Sequence, residues 1–113
     1  MTADDRTRLK LDRMEGALDP ESIVADAIER TGIDDVGDEW FLEPLAAWAD
    51  DLHSSNLTDS GRKFLRRLAV SDVARRLEVL DVIRHHPEIL DVEIPPIVYI
   101  TGLERSGTTI LHN

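Results

Sequence analysis

The chain has 113 residues and a formal net charge of −10, with 23 acidic residues against 13 basic ones. That balance argues against a general electrostatic role on DNA or RNA, which needs a basic surface. With no cysteine there is no disulfide framework and no thiolate metal site, and no apolar run approaches the roughly 20 residues of a membrane span.

The N-terminus, MTADDRTRLKLD, is charged and lacks the apolar core of a secretory signal. A cytoplasmic location is expected, in keeping with the absence of cysteine. Residues 1–18 read as a flexible arm, in which Leu9, Leu11 and Met14 offer a short helical pattern.

Residues 19–91 read as a helical region. Asp19 is a good N-cap, Pro20 suits the first helical position, and Glu21 complements the helix dipole. Ile23, Val24, Ala27 and Ile28 then repeat at helical spacing, and Thr31-Gly32 is a stop signal. Asp34, Asp35 and Asp38 lie in an acidic turn. They do not fit the calcium-loop spacing, so turn and capping roles are expected.

A second helix is expected over residues 39–53, with Phe41, Leu45, Trp48, Ala49 and Leu52 on one face. Pro44 breaks a backbone hydrogen bond unless it lies in the first turn, which moves the true start toward Leu42. Trp40, Phe41 and Trp48 are expected in the core rather than on an acceptor-binding platform.

The third helix is the longest. Thr58 is its candidate cap, and the pattern runs to His85 or His86, ahead of Pro87. Phe64, Leu65, Leu68, Ala69, Val73, Leu77, Leu80 and Ile83 keep one apolar face. At 1.5 Å per residue the helix spans about 40 Å. Its basic residues, Arg62, Lys63, Arg66, Arg67, Arg75 and Arg76, read as a solvated face paired with acidic neighbours. His85 and His86 are expected to meet carbonyls at the helix end.

Residues 92–113 hold the chemistry. Ile97, Val98, Tyr99, Ile100 and Thr101 are β-branched or aromatic without polar alternation. Such a run suits a strand covered on both faces in a parallel sheet. Gly102-Leu103-Glu104-Arg105-Ser106-Gly107-Thr108-Thr109 has the G-x4-G spacing of a phosphate loop. Ile110-Leu111-His112-Asn113 then begins a helix. In this order of elements, glycines let the backbone approach an anion, N–H groups point inward, and the helix presents its positive end. The lysine of the nucleoside-triphosphate loop is replaced by Thr108, which argues against a triphosphatase. One strand alone leaves its N–H and C=O groups without neighbours, so the chain is expected to be the N-terminal piece of a longer protein.

Gly102-Leu103-Glu104-Arg105-Ser106-Gly107-Thr108-Thr109-Ile110-Leu111-His112, after a proline-introduced strand, resembles the 5′-phosphosulfate loop of the sulfotransferase family, G-x-P-R-[ST]-G-T-T-x-L. The likeness is nearest to the bacterial branch, in which a helical region resembling residues 32–41 also precedes the loop. The resemblance covers residues 95–112 strongly and the chain from about Asp19 loosely. It implies a P-loop α/β fold of which this chain holds the helical part, one C-terminal β-strand and the loop. It also implies transfer of a sulfuryl group from 3′-phosphoadenylyl sulfate (PAPS) to a small-molecule hydroxyl or amine, without a metal. Arg105 takes the position of the family's basic loop residue. Ser106, Gly107, Thr108 and Thr109 take the positions that bind the 5′-phosphate. Glu104 departs from the usual proline or glycine. A carboxylate there repels the anion unless it points outward or pairs with a base. The family places its base downstream of the loop, so His112 is not assigned that role, and the 113-residue chain is expected to have no turnover alone.

The residues themselves leave two other readings open. One is a different P-loop enzyme, such as a small-molecule kinase. The other is a non-enzymatic helical interaction module.

Overall fold

Asp19 and Gly32 bracket the first helix, α1, Pro20–Thr31. The Asp19 carboxylate accepts the Ser22 amide at 3.0 Å and the Ser22 hydroxyl at 2.7 Å, which satisfies an amide that the helix itself leaves without a partner. At the other end Gly32 takes φ 71°, and its N–H closes on the Ile28 carbonyl at 2.8 Å. The computed structural model describes residues 2–8, 16–105, 107 and 110. Within the N-terminal arm, residues 3–8 are helical; Leu9, Leu11 and Met14 lie outside the described residues.

Helix α2, Leu42–His53, is preceded by a 3-10 turn at Glu39–Phe41. Pro44 is therefore the third residue of α2, where its missing N–H has no intrahelical acceptor to lose. Helix α3, Asp59–His85, begins as its sequence requires, with the Thr58 hydroxyl accepting the Gly61 amide at 3.0 Å. A 3-10 turn at Pro87–Asp91 ends the helical region.

Helix α3 packs chiefly on α1, and α2 leans on α1 as well. The core between them contains Ile23, Ala27, Phe41, Ala69, Val73, Ala74 and Leu77. Ala27, Ala69 and Ala74 keep the surfaces shallow, so the backbones approach closely while Ile23 and Leu77 fill the gap. Those two are 0% exposed, and burying each such side chain contributes about 2 kcal/mol.

The linker between α1 and α2 is pinned to α3. Arg84 donates to the Asp35 carbonyl at 2.9 Å and pairs with its carboxylate at 3.0 Å. One turn pair earlier, Arg76 donates to the Asp38 carbonyl at 3.1 Å. Gly37 holds φ 68° beneath them, and a Cβ there would sit 3.1 Å from Leu80 Cδ1. Within the acidic segment the Asp35 carboxylate also accepts the Gly37 amide at 3.0 Å, a capping contact of the kind expected there.

The expected C-terminal β-strand is not there: the described residues contain no strand. Residues 97–101 run without ladder hydrogen bonds. Ile97, Val98 and Tyr99 are 55%, 85% and 79% exposed. A strand exists only against a neighbour that takes its N–H and C=O groups, and no described segment runs beside this one. The β-branched run fits a covered, pleated surface, and the helices do not supply one. The expected α/β class accordingly gives way to a helical architecture among the described residues.

Candidate functional site

The glycine-bounded loop leaves the helical body entirely. Among the described residues, no hydrogen bond or ion pair ties residues 93–105 to the helices. Leu103, Glu104 and Arg105 are exposed. Arg105 has φ 62° and Gly107 has φ 90°. A left-handed backbone at a non-glycine residue costs about 1 kcal/mol, which makes Arg105 unusual. At Gly107 the conformation suits the residue, and a Cβ would meet nothing within 4 Å. The Ile110 amide then closes on the Gly107 carbonyl at 3.2 Å, and Ile110 is helical. Among the described residues, Ile110 alone represents the helix expected after the loop. Ser106, Thr108, Thr109 and His112 lie outside the described residues.

The Arg105 guanidinium makes no ion pair among the described residues, which leaves its planar fork available to an oxyanion ligand.

A cleft of about 320 Å³ lies between α2 and α3. Phe41, Leu45 and Trp48 form one wall, and Leu68, Ala69 and Val73 the other, with Asp72 and Arg76 at its edge. The Arg76 guanidinium lies 4.6 Å from the Phe41 ring centroid and 5.3 Å from that of Trp40. Both are cation–π distances. Its Nε is buried without a hydrogen-bond partner. Two expectations change here. Trp40 is 67% exposed rather than core, because it covers Arg76 instead of entering the helix interface. The apolar face of α3 is covered at Ala69, Val73 and Leu77 but open at Phe64 and Leu68, which are 58% and 47% exposed. Helix α2 has 12 residues against 27 in α3, so it cannot cover the whole face.

A larger groove of about 850 Å³ lies between α1 and α3. Arg66 on its floor is buried, which corrects the reading of all the α3 basic residues as a solvated face. Its Nη1 donates to the Ala17 carbonyl at 2.6 Å and to the Ser22 hydroxyl at 2.8 Å. Its Nη2 donates to the Ser22 carbonyl and to the Asp26 carboxylate. The Ser22 hydroxyl bond holds the Asp19 carboxyl below its usual range, against partial desolvation and with help from the Ser22 amide. This network ties the start of α1 to α3, a structural rather than chemical use of an arginine. Periodicity could not find it, because Arg66 flanks the apolar stripe and is drawn in by acceptors 40 or more residues away in sequence.

His85 meets a helix-end carbonyl as expected, its ring Nδ1 lying 2.8 Å from the Asp81 oxygen. His86 instead faces the Glu88 carboxylate at 3.2 Å. Among the described residues, no group of three or more His, Asp or Glu side chains is placed to hold a metal ion, and no helix is long and apolar enough to cross a membrane. Comparison with family models, with curated proteins and with solved structures finds no match to this chain.

Proposed function

We propose that the loop from Gly102 to Thr109 is the donor-binding loop of a sulfotransferase that takes PAPS and passes its sulfuryl group to a small-molecule hydroxyl or amine. The observation that carries this reading is Arg105 in a left-handed conformation within a G-x4-G loop that leads into a helical residue. Strain of that kind concentrates where a backbone is shaped for a ligand. Arg105 supplies a guanidinium for the donor phosphate oxygens. Gly107 keeps the approach open. Ser106, Thr108 and Thr109 supply hydroxyl and N–H donors.

In the transfer, the bond from sulfur to the 5′-phosphate oxygen breaks and a bond from sulfur to the acceptor oxygen or nitrogen forms. The acceptor's proton goes to a base. Negative charge collects on the leaving phosphate, and fixed N–H dipoles and Arg105 are suited to neutralise it there. Thr108 in place of lysine favours this donor over a nucleoside triphosphate. Such a donor has no β,γ-phosphate pair for Mg²⁺ to bridge. No residue of this chain is assigned as the base, so binding is the quantity to measure. Calorimetric titration of the chain should show 3′,5′-adenosine bisphosphate binding more tightly than ATP·Mg²⁺. Arg105→Ala should weaken the bisphosphate by at least about tenfold, the value of one charged hydrogen bond. A preference for ATP·Mg²⁺ would instead favour a kinase-like enzyme.

One observation favours a second reading, a helical interaction module: among the described residues, the helices form their core without any hydrogen bond to residues 93–105. That reading requires thermal melts that do not respond to the bisphosphate.

A further inference from the structure

The α2–α3 cleft has the size and lining of a small-molecule site. Its volume of about 320 Å³ falls at the small end of the range for ligand pockets, which are mostly apolar with a few placed polar groups. Phe41, Leu45, Trp48 and Leu68 supply the apolar lining, and Leu68 remains 47% exposed. An apolar occupant would remove that surface from water.

The two polar side chains decide the class of occupant. Arg76 is held in place by the Asp38 carbonyl at 3.1 Å and by the Phe41 and Trp40 rings. That is its only hydrogen bond among the described residues, so the terminal nitrogens of its guanidinium keep unused donors. Asp72 is exposed, and its nearest cation is Arg75 at 3.9 Å. A cation and a carboxylate in one lining, four residues apart on α3, cancel at a distance, so the cleft attracts neither an anion nor a cation strongly. A hydroxyl suits both groups: its oxygen accepts from Arg76 and its proton is donated to Asp72.

We infer that the cleft between α2 and α3 binds a small neutral alcohol or phenol with an apolar body, its hydroxyl set between Asp72 and Arg76. That this molecule is the acceptor for sulfuryl transfer rests on the donor-loop reading; its binding does not. Phe41, Trp48 and Leu68 hold the body by apolar contact and ring stacking. The polar pair selects the head group.

Calorimetry with three naphthalene probes tests this: naphthol, naphthoate and naphthylmethylammonium, each titrated into the full chain near neutral pH. Naphthol should bind about tenfold more tightly than either charged probe, since each charged probe leaves one polar partner unserved or opposed. Asp72→Asn, at an exposed position, should cut the advantage of naphthol over naphthoate several-fold, and Leu68→Trp should fill the cleft and abolish binding. Circular dichroism melts show whether each variant folds. Equal binding of naphthoate or naphthylmethylammonium overturns the inference, as does a naphthol-to-naphthoate ratio unchanged in folded Asp72→Asn protein. Loss of naphthol binding with the bisphosphate still bound would sink this inference alone. The opposite pattern would sink the donor-loop reading alone.

Discussion

Arg66 of α3 and Asp26 of α1 meet across the helix interface as an ion pair whose two halves are unequally buried: the Arg66 side chain is 8% exposed and that of Asp26 is 48% exposed. The guanidinium is therefore the costly partner to strand. Three further acceptors, the Ala17 carbonyl and the Ser22 hydroxyl and carbonyl, surround it. The bonds join residues 40 or more positions apart, so they act on how α1 sits against α3 rather than on either helix alone.

Arg66→Ala should therefore destabilise the fold by about 3 kcal/mol, through lost charged hydrogen bonds and acceptors left unpaired in the groove. Asp26→Asn should cost less than about 1 kcal/mol, because that carboxylate is half in water. Urea unfolding of the two variants checks both values. Equal costs would mean that the ion pair, not the buried guanidinium, carries the stabilisation.

Two glycines share a left-handed backbone but differ in what surrounds them. Gly32 has φ 71° with nothing within 4 Å of an added Cβ, whereas at Gly37, φ 68°, the Cβ would lie 3.1 Å from Leu80. Gly32→Ala should cost about 1 kcal/mol, from backbone strain alone. Gly37→Ala should cost about 1 kcal/mol more, since Leu80 must move within a packed interface. The difference between their urea midpoints isolates the contact with α3.

Asp19 makes stability depend on acid. Its folded-state pKa is lowered from the ordinary 3.8, first by the Ser22 hydroxyl. A lowered carboxyl pKa contributes stability that is complete above the unfolded value and lost as pH falls through the folded one. Asp19→Ala should cost about 1 kcal/mol near neutral pH, as for other N-caps. Its deficit against the wild type should shrink as pH falls below the ordinary carboxyl range and through the lowered folded-state value. Urea titrations from neutral pH down through that range check this; a deficit independent of pH would contradict it.

Helix ends were the most legible part of this sequence, because each is written in a few adjacent residues. Asp19-Pro20, Thr31-Gly32, Thr58 and the placement of Pro44 all act locally, through caps and missing N–H groups. What failed to show was decided by distant partners. Arg66 is buried because Ala17, Ser22 and Asp26 converge on it, and no periodicity encodes that. Trp40 is exposed because Arg76 draws it to the helix rim. The run at 97–101 has β composition, yet pairing is a property of two segments, and the described chain supplies one. Within the loop, the glycine spacing says nothing of handedness, and both Gly107 and Arg105 are left-handed.

Donor binding at the loop is most directly tested by amide chemical-shift mapping of the chain with 3′,5′-adenosine bisphosphate. Saturable shifts are expected at residues 102–112, Gly107 prominent among them, with weaker shifts from ATP·Mg²⁺ at the same concentration. Shifts confined to the helices, or larger effects from ATP·Mg²⁺ at the loop, would contradict it.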